Sequence, residues 1–189
     1  MPADTTVMEL DDALKTLALV GRGNSHLDTV MQVKTQRAGE IEGESTRRFQ
    51  DGKPRIDLLG YYFAGGTPTD VGTGQATGRR RYSAVRIVRS SDAASASLLS
   101  AFATNDKVTV RLSSFKSGGQ DTANTDPVFS MELKDARIKA FAILGGGALP
   151  GSGAMDVIEV VFRSISMESA PQAHSGQRGA VRTFTDSVG

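Results

Sequence analysis

Between residues 7 and 20 (VMELDDALKTLALV) apolar side chains recur at Leu10, Leu14, Leu17 and Ala18, the spacing of one helical face. Asp11 and Asp12 fall early in that segment and Gly21 follows it, matching the macrodipole and a glycine stop. The pattern predicts a short amphipathic helix, then a loop over 21–26. A helix this short is marginal alone in water, so it must dock on its own domain or on a neighbouring subunit.

From residue 28 the period changes from helical to alternating. TVMQVKTQ at 29–36 predicts a strand and RAGEIEGEST at 37–46 a loop. PRIDLLGYYF at 54–63 predicts one further strand, with Ile56, Leu58 and Tyr62 on one parity. AGGTPTDVGTGQATG at 64–78 reads as a long glycine-rich loop, of a length that in compact domains usually carries function or disorder. It leads into RRRYSAVRIVRS at 79–90, where Val85 and Ile87 share a parity. Residues 90–106 predict the clearest helix, capped by Ser91 or Asp92 and striped by Leu98, Leu99 and Phe102. Strands follow at 107–116 (Val108, Val110, Leu112), 128–144 (Phe129, Met131, Leu133) and 155–168 (Ile158, Val160, Phe162). They are separated by a polar turn at 117–127 and a glycine-rich turn at 145–154. Residues 169–189 read as an exposed tail that Val181 and Phe184 could anchor to a partner. Several strands around one helix predict a mainly β chain, a small β-barrel or two packed sheets with a flanking α-helix.

Composition narrows the chemistry. The 189 residues suit one domain with tails, and no apolar run approaches the ~20 residues of a membrane-spanning helix. Lysine plus arginine (22) nearly balances aspartate plus glutamate (21), so the chain as a whole is no polyanion binder. The absence of cysteine excludes disulfides, thiolate metal sites, iron–sulfur clusters and cysteine nucleophiles. Two histidines, His26 and His174, leave little for a zinc cage or a histidine-dependent triad, and both sit in polar loops. The N-terminus lacks the basic segment of a secretory signal, so the expected compartment is the cytoplasm and export would need a dedicated machine.

The remaining motifs are weak as chemistry. GTGQATG at 72–78 is no phosphate-binding fingerprint, because a strand rather than a helix follows its glycines. Arg79, Arg80, Arg81, Arg86 and Arg89 form the one local charge asymmetry. They lack the interleaved aromatics of a nucleic-acid face, which leaves a solvated strand or an interface with another subunit's carboxylates. Asp121, Asp126 and Glu132 miss the calcium-loop spacing and read as turn residues. No catalytic, cofactor or metal site emerges.

Taken in order, several features resemble one family. They are the strand at 29–36, Glu42-Gly43-Glu44-Ser45-Thr46, the strand at 54–63, the glycine-rich loop and Arg80-Arg81-Tyr82-Ser83. Asp92 with Ser95, Ser97, Leu98, Leu99 and Ala101, and finally Glu159-Val160-Val161-Phe162, complete the series. Together they resemble the hemolysin-coregulated protein (Hcp) family, the inner-tube subunit of the bacterial type VI secretion system. The resemblance implies a two-sheet barrel over 29–169, with residues 1–28 as an N-terminal extension and 170–189 as a C-terminal tail outside it.

It further implies homo-hexameric rings that stack into a tube, and sheath, spike and baseplate partners. Sheath contraction would expel the tube, effectors would ride in its lumen, and the protein would leave the cytoplasm without a signal peptide. It implies no enzyme activity, cofactor, nucleic acid or stable membrane insertion. The loop between the second and third strands would reach neighbouring subunits or the adjacent ring, a role falling on Thr69, Asp70, Val71, Gly72, Gly74, Arg79, Arg80 and Arg81. Leu10, Leu14 and Leu17 would make the N-terminal segment a docking helix. The extension, the tail and the lack of tryptophan depart from the family pattern. They leave a phage-tail-like or extracellular contractile particle as an alternative reading. A β-rich hydrolase or ligand-binding module is the rival from another class, and it predicts a monomer or dimer rather than a ring.

Overall fold

The computed structural model describes residues 10–20, 27–116, 126–145, 153–170 and 179–188. His26, His174, Asp121 and parts of the turns expected at 21–26, 117–127 and 145–154 lie outside the described residues. In chain order the elements are α1 (Leu10–Val20), β1 (Leu27–Thr35), β2 (Gly39–Ile41), β3 (Ile56–Leu58), β4 (Gly60–Tyr62), β5 (Gly65–Gly66) and β6 (Arg81–Tyr82). They continue with β7 (Val85–Ser90), α2 (Ala94–Ala103), β8 (Val108–Lys116), β9 (Phe129–Leu144), β10 (Met155–Val161), β11 (Ser164–Ser169) and β12 (Arg182–Ser187).

The chain is mainly β, built as two antiparallel sheets that share one long strand. The first half of β9 pairs with β8 and β11, and its second half pairs with β10. The strand path β2-β1-β8-β9-β10-β7-β4 ends on β2 and β4 and does not close by hydrogen bonds. β9 can serve both sheets because it bends at a β-bulge. Asp135 adopts φ 48°, and the register slips between Val108 and Val110 opposite it. The inward parity therefore changes from Met131 and Leu133 to Ala136 and Ile138, all buried.

Between the sheets lies one core, with Met31, Val33, Ile56, Val85, Ile87, Leu112, Leu133, Ile158 and Ile165 almost fully covered. The expected inward positions Val108, Val110, Ile158 and Val160 are there. Helix α2 lies along this core, and Asp92 caps it: its Oδ1 accepts the Ala94 N–H (2.7 Å) while Ser95 Oγ accepts the Asp92 N–H (3.1 Å). Its inward stripe is Ala94, Leu98 and Ala101, not Leu98, Leu99 and Phe102; Leu99 and Phe102 are partly exposed on the far side. The small alanines win the inward face because the helix lies close against β2 and β9.

Four other expectations change. The loop at 37–46 contains β2, which hairpins onto β1. The strand expected at 54–63 is two strands, β3 on β1 and β4 on β7, divided at the exposed Leu59. The break reverses the parity, so Tyr61 packs on the core and Tyr62 faces out. The strand at 155–168 is likewise β10 and β11, turning at Phe162 and Arg163 into different sheets. The tail at 169–189 supplies β12, which pairs with β11 along six register positions.

Segment 43–55 covers the outer face of β1 and β8. Phe49 meets Phe115 edge-on at 6.1 Å, and the guanidiniums of Arg47 and Arg55 lie over Phe115 and Phe49. A Cβ on Gly43 would come within 2.4 Å of the Arg55 carbonyl oxygen, so glycine is required for the segment to close on itself. Arg55 ties Glu40 (2.9 Å) to Asp51 (2.6 Å), and Lys53 also reaches Glu40 (3.0 Å).

Burial alone would raise the Glu40 pKa, yet the hydrogen bonds from Lys53 and Gln32 and the charge of Arg55 hold it below the ordinary value. The Arg55 hydrogen bond does the same for Asp51. Both carboxyls are depressed in the fold, so their contribution is present above the ordinary carboxylate range and is lost as pH falls through the depressed values. Once the slower intrinsic exchange at low pH is allowed for, amide protection in 43–55 is therefore expected to fall on acidification below about pH 4, ahead of that in the β8–β9 core. Simultaneous opening of both regions would contradict this.

Candidate assembly interface

The glycine-rich loop at 64–78 is an ordered hairpin rather than a loop. β5 pairs with β6, and Thr69 bridges Ala76 further out. At its tip, Asp70 Oδ1 accepts the N–H groups of Gly72 (2.9 Å) and Thr73 (2.8 Å) and the Thr73 hydroxyl (3.0 Å). The same hydrogen bonds, those of Thr73 first, hold the Asp70 carboxyl below its ordinary pKa. Gly74 turns the chain at φ 68°, and its N–H donates to the Asp70 carbonyl at 2.8 Å. Every residue from 65 to 81 is exposed, and Val71 stands fully clear of its own subunit. An exposed, internally bonded hairpin carries Thr69, Asp70, Val71, Gly72, Gly74, Arg79, Arg80 and Arg81.

The five arginines do not form a common patch. Arg79, Arg80 and Arg81 lie on the hairpin arm, and Arg80 meets Asp186 at 3.3 Å. Arg86 lies on β7 and pairs with Glu159 at 2.6 Å and with Asp12 at 4.0 Å. Arg89, expected on a surface, is completely buried and paired with Asp92 and Asp156. Its charge is internal because Asp156, its register partner on β10, is equally buried and Asp92 caps α2 beside it. An arginine followed within three residues by an aspartate was the only linear sign, and such pairs are common on surfaces.

Helix α1 lies against β4 and β7 of its own chain. Arg86 and Val88 share the β7 face opposite the core, and the Arg86–Asp12 pair places α1 on that side. There Val88 and Val157 form a second apolar cluster with Ala142 and Leu144, and both valines are fully buried. This explains why β10 is covered on both faces. Among the described side chains of α1, Thr16 is buried, its hydroxyl donating to the Asp12 carbonyl at 2.8 Å. Of the face expected from the sequence, Leu14 and Ala18 are exposed. The side chains of Leu10 and Leu17 lie outside the described residues.

Concavities are shallow and mixed in charge. One of about 360 Å³ is lined by Gln32, Asp51, Arg55 and Arg111 among others. Another of about 450 Å³ runs between β2 and α2 past Ala96, Ser97 and Ser100. No cluster of three or more metal-ligating side chains occurs among the described residues. The carboxyls with shifted affinities, Glu40, Asp51, Asp70, Asp135 and Asp186, all move towards permanent ionisation. No helix among the described residues is long and apolar enough to cross a membrane.

The described residues form a mainly β fold of two antiparallel sheets with one exposed hairpin. A profile of the family described as "Type VI secretion system effector, Hcp" matches residues 31–169. The chain belongs to the Hcp family of the type VI secretion system. Its fold is similar to a solved structure of a type six secretion system protein, at 20% identity and TM-score 0.68, covering 84% of this chain and 95% of that one. It is also similar to Hcp1 from Salmonella typhimurium (16%, TM-score 0.60, 85% and 95%) and to secreted Hcp3 from Pseudomonas aeruginosa (15%, TM-score 0.55, 85% and 97%). No curated protein sequence matches.

Proposed function

We propose that this chain is a noncatalytic inner-tube subunit. Copies associate into closed six-membered rings, the rings stack into a tube, and contraction of a surrounding sheath expels it with effectors in its lumen. The observation that carries the reading is the hairpin at 65–81, ordered by its own hydrogen bonds yet exposed throughout. A fully exposed valine at its tip and arginines on its arm suit an apolar and charged contact with a neighbouring copy. Family membership supports the same reading. Helix α1, seated on its own sheet, presents its outward side with Leu14 as a secondary docking face between subunits. Sheath, spike and baseplate components are the partners that this role requires, and export proceeds through the secretion machine itself.

A ring uses two different surface patches per subunit, so six 19.9 kDa copies would give a closed particle of about 119 kDa. Light scattering on the purified chain is expected to show that mass, with ring-shaped particles by electron microscopy. A stable monomer at high concentration that also fails to add to preformed tubes would overturn the proposal.

A further inference from the structure

The hairpin is anchored from far along the chain. The Tyr82 hydroxyl donates to Asp186 Oδ2 at 2.5 Å, a contact between residues 104 positions apart, and Arg80 reaches the same oxygen at 3.3 Å. We propose that Asp186 is a positioning residue, through which β12 clamps the base of the hairpin and sets the direction in which its tip projects. The inference rests on the reading of the hairpin as an assembly element.

The base needs such a clamp. β5 and β6 pair over only two register positions, supplemented by the exchange between Ala64 and Ser83. A two-stranded ribbon this short has little stiffness of its own. The Tyr82 ring stacks on Phe63 (5.7 Å, 28°) and lies near Phe162 (6.4 Å), which fixes its plane but allows it to slide. Gly65 lets the ring lie flat on the strand, because a Cβ there would come within 3.0 Å of it. The hydroxyl bond to Asp186 removes the remaining freedom at the ring's outer end. Arg80 lies two residues before Tyr82, so one carboxylate holds two points on the same arm.

Asp186 is itself held firmly. Its register partner Ile165 is fully buried, β12 pairs with β11 along its length, and Val188 N–H donates to the Arg163 carbonyl at 2.7 Å. The Tyr82 hydrogen bond keeps the carboxyl below its ordinary pKa, which preserves the charged acceptor. The hairpin is thus tied through β12 to the core.

The chain has no cysteine, so spin labels can be placed cleanly at Val71→Cys on the tip and Ser97→Cys on α2. Labelled full-length protein is diluted with unlabelled copies, and the distance within one chain is read by pulsed electron resonance. The unaltered clamp is expected to give one narrow distance. Asp186→Ala and Tyr82→Phe are each expected to lose it in favour of a broad distribution, with the thermal midpoint unchanged. Tyr82→Phe keeps the ring stack and removes only the hydroxyl. A narrow distance surviving in either variant, or its loss together with a collapsed midpoint, would overturn the positioning role. The distance reports on single chains, so failure of the wild type to form rings would count against the tube reading and not against the clamp.

Discussion

Replacing Asp156 by alanine is expected to destabilise the fold by about 3–5 kcal/mol, a large part of the 5–15 kcal/mol typical of a domain. Asp156 is fully buried and accepts hydroxyl hydrogen bonds from Ser91 and Ser95, each at 2.6 Å. It also lies 3.8 Å from the Arg89 guanidinium, which has no exposure to water. Alanine would leave Asp92 as that cation's one carboxylate and take the acceptor from the Ser91 and Ser95 hydroxyl protons at the start of α2. Asp156→Asn retains acceptor oxygen but not charge, and is expected to cost less. Replacing Arg89 and Asp156 together by methionine and leucine is expected to recover part of the loss, because removing both members avoids a stranded charge. Urea denaturation of the three variants tests the ordering. Equal losses in all three would show that packing volume, rather than charge pairing, dominates the site.

The second large effect concerns assembly and leaves stability nearly untouched. Replacing residues 67–78 by Asn-Gly retains β5, Arg79, Arg80 and β6 and closes the hairpin by a short turn. The deleted residues are all exposed and bond to one another, as in Asp70 N–H to Gln75 O (2.9 Å) and Thr77 N–H to Pro68 O (2.8 Å). Loop-closure entropy changes slowly with length, so unfolding free energy is expected to stay within about 1 kcal/mol. If the proposed tube forms, sedimentation of this variant is expected to lack the stacked species. An unchanged profile would remove the hairpin from the assembly contacts.

Much of the fold was readable in alternation alone. β1, β7, β8 and the first half of β9 place apolar side chains such as Met31 and Val33, Val85 and Ile87, Val108 and Val110, and Met131 and Leu133 two apart because one face meets the shared core. Alternation misled where a strand changes partners. Leu58-Leu59-Gly60 and Phe162-Arg163 look continuous in the sequence, yet each joins segments belonging to different ladders. α2 was legible from alanine, leucine and its cap, but its leucine and phenylalanine misdirected the choice of face. The run from 64 to 78 read as a loop and concealed its β5–β6 and Thr69–Ala76 pairing, because glycine and threonine carry no strong pattern.

Residue order thus determines the mainly β class and the position of the two described helices, since these depend on interactions between near neighbours. The charges were decided elsewhere. Arg89 is internal because Asp156, 67 positions away, arrives opposite it in the sheet. Tyr82 finds Asp186 only after β12 has been laid beside β11. Val88 and Val157 acquire a second apolar environment on the face where α1 is seated. Burial and ion pairing are properties of what the folded chain brings together, and contacts across such separations leave no period in the sequence.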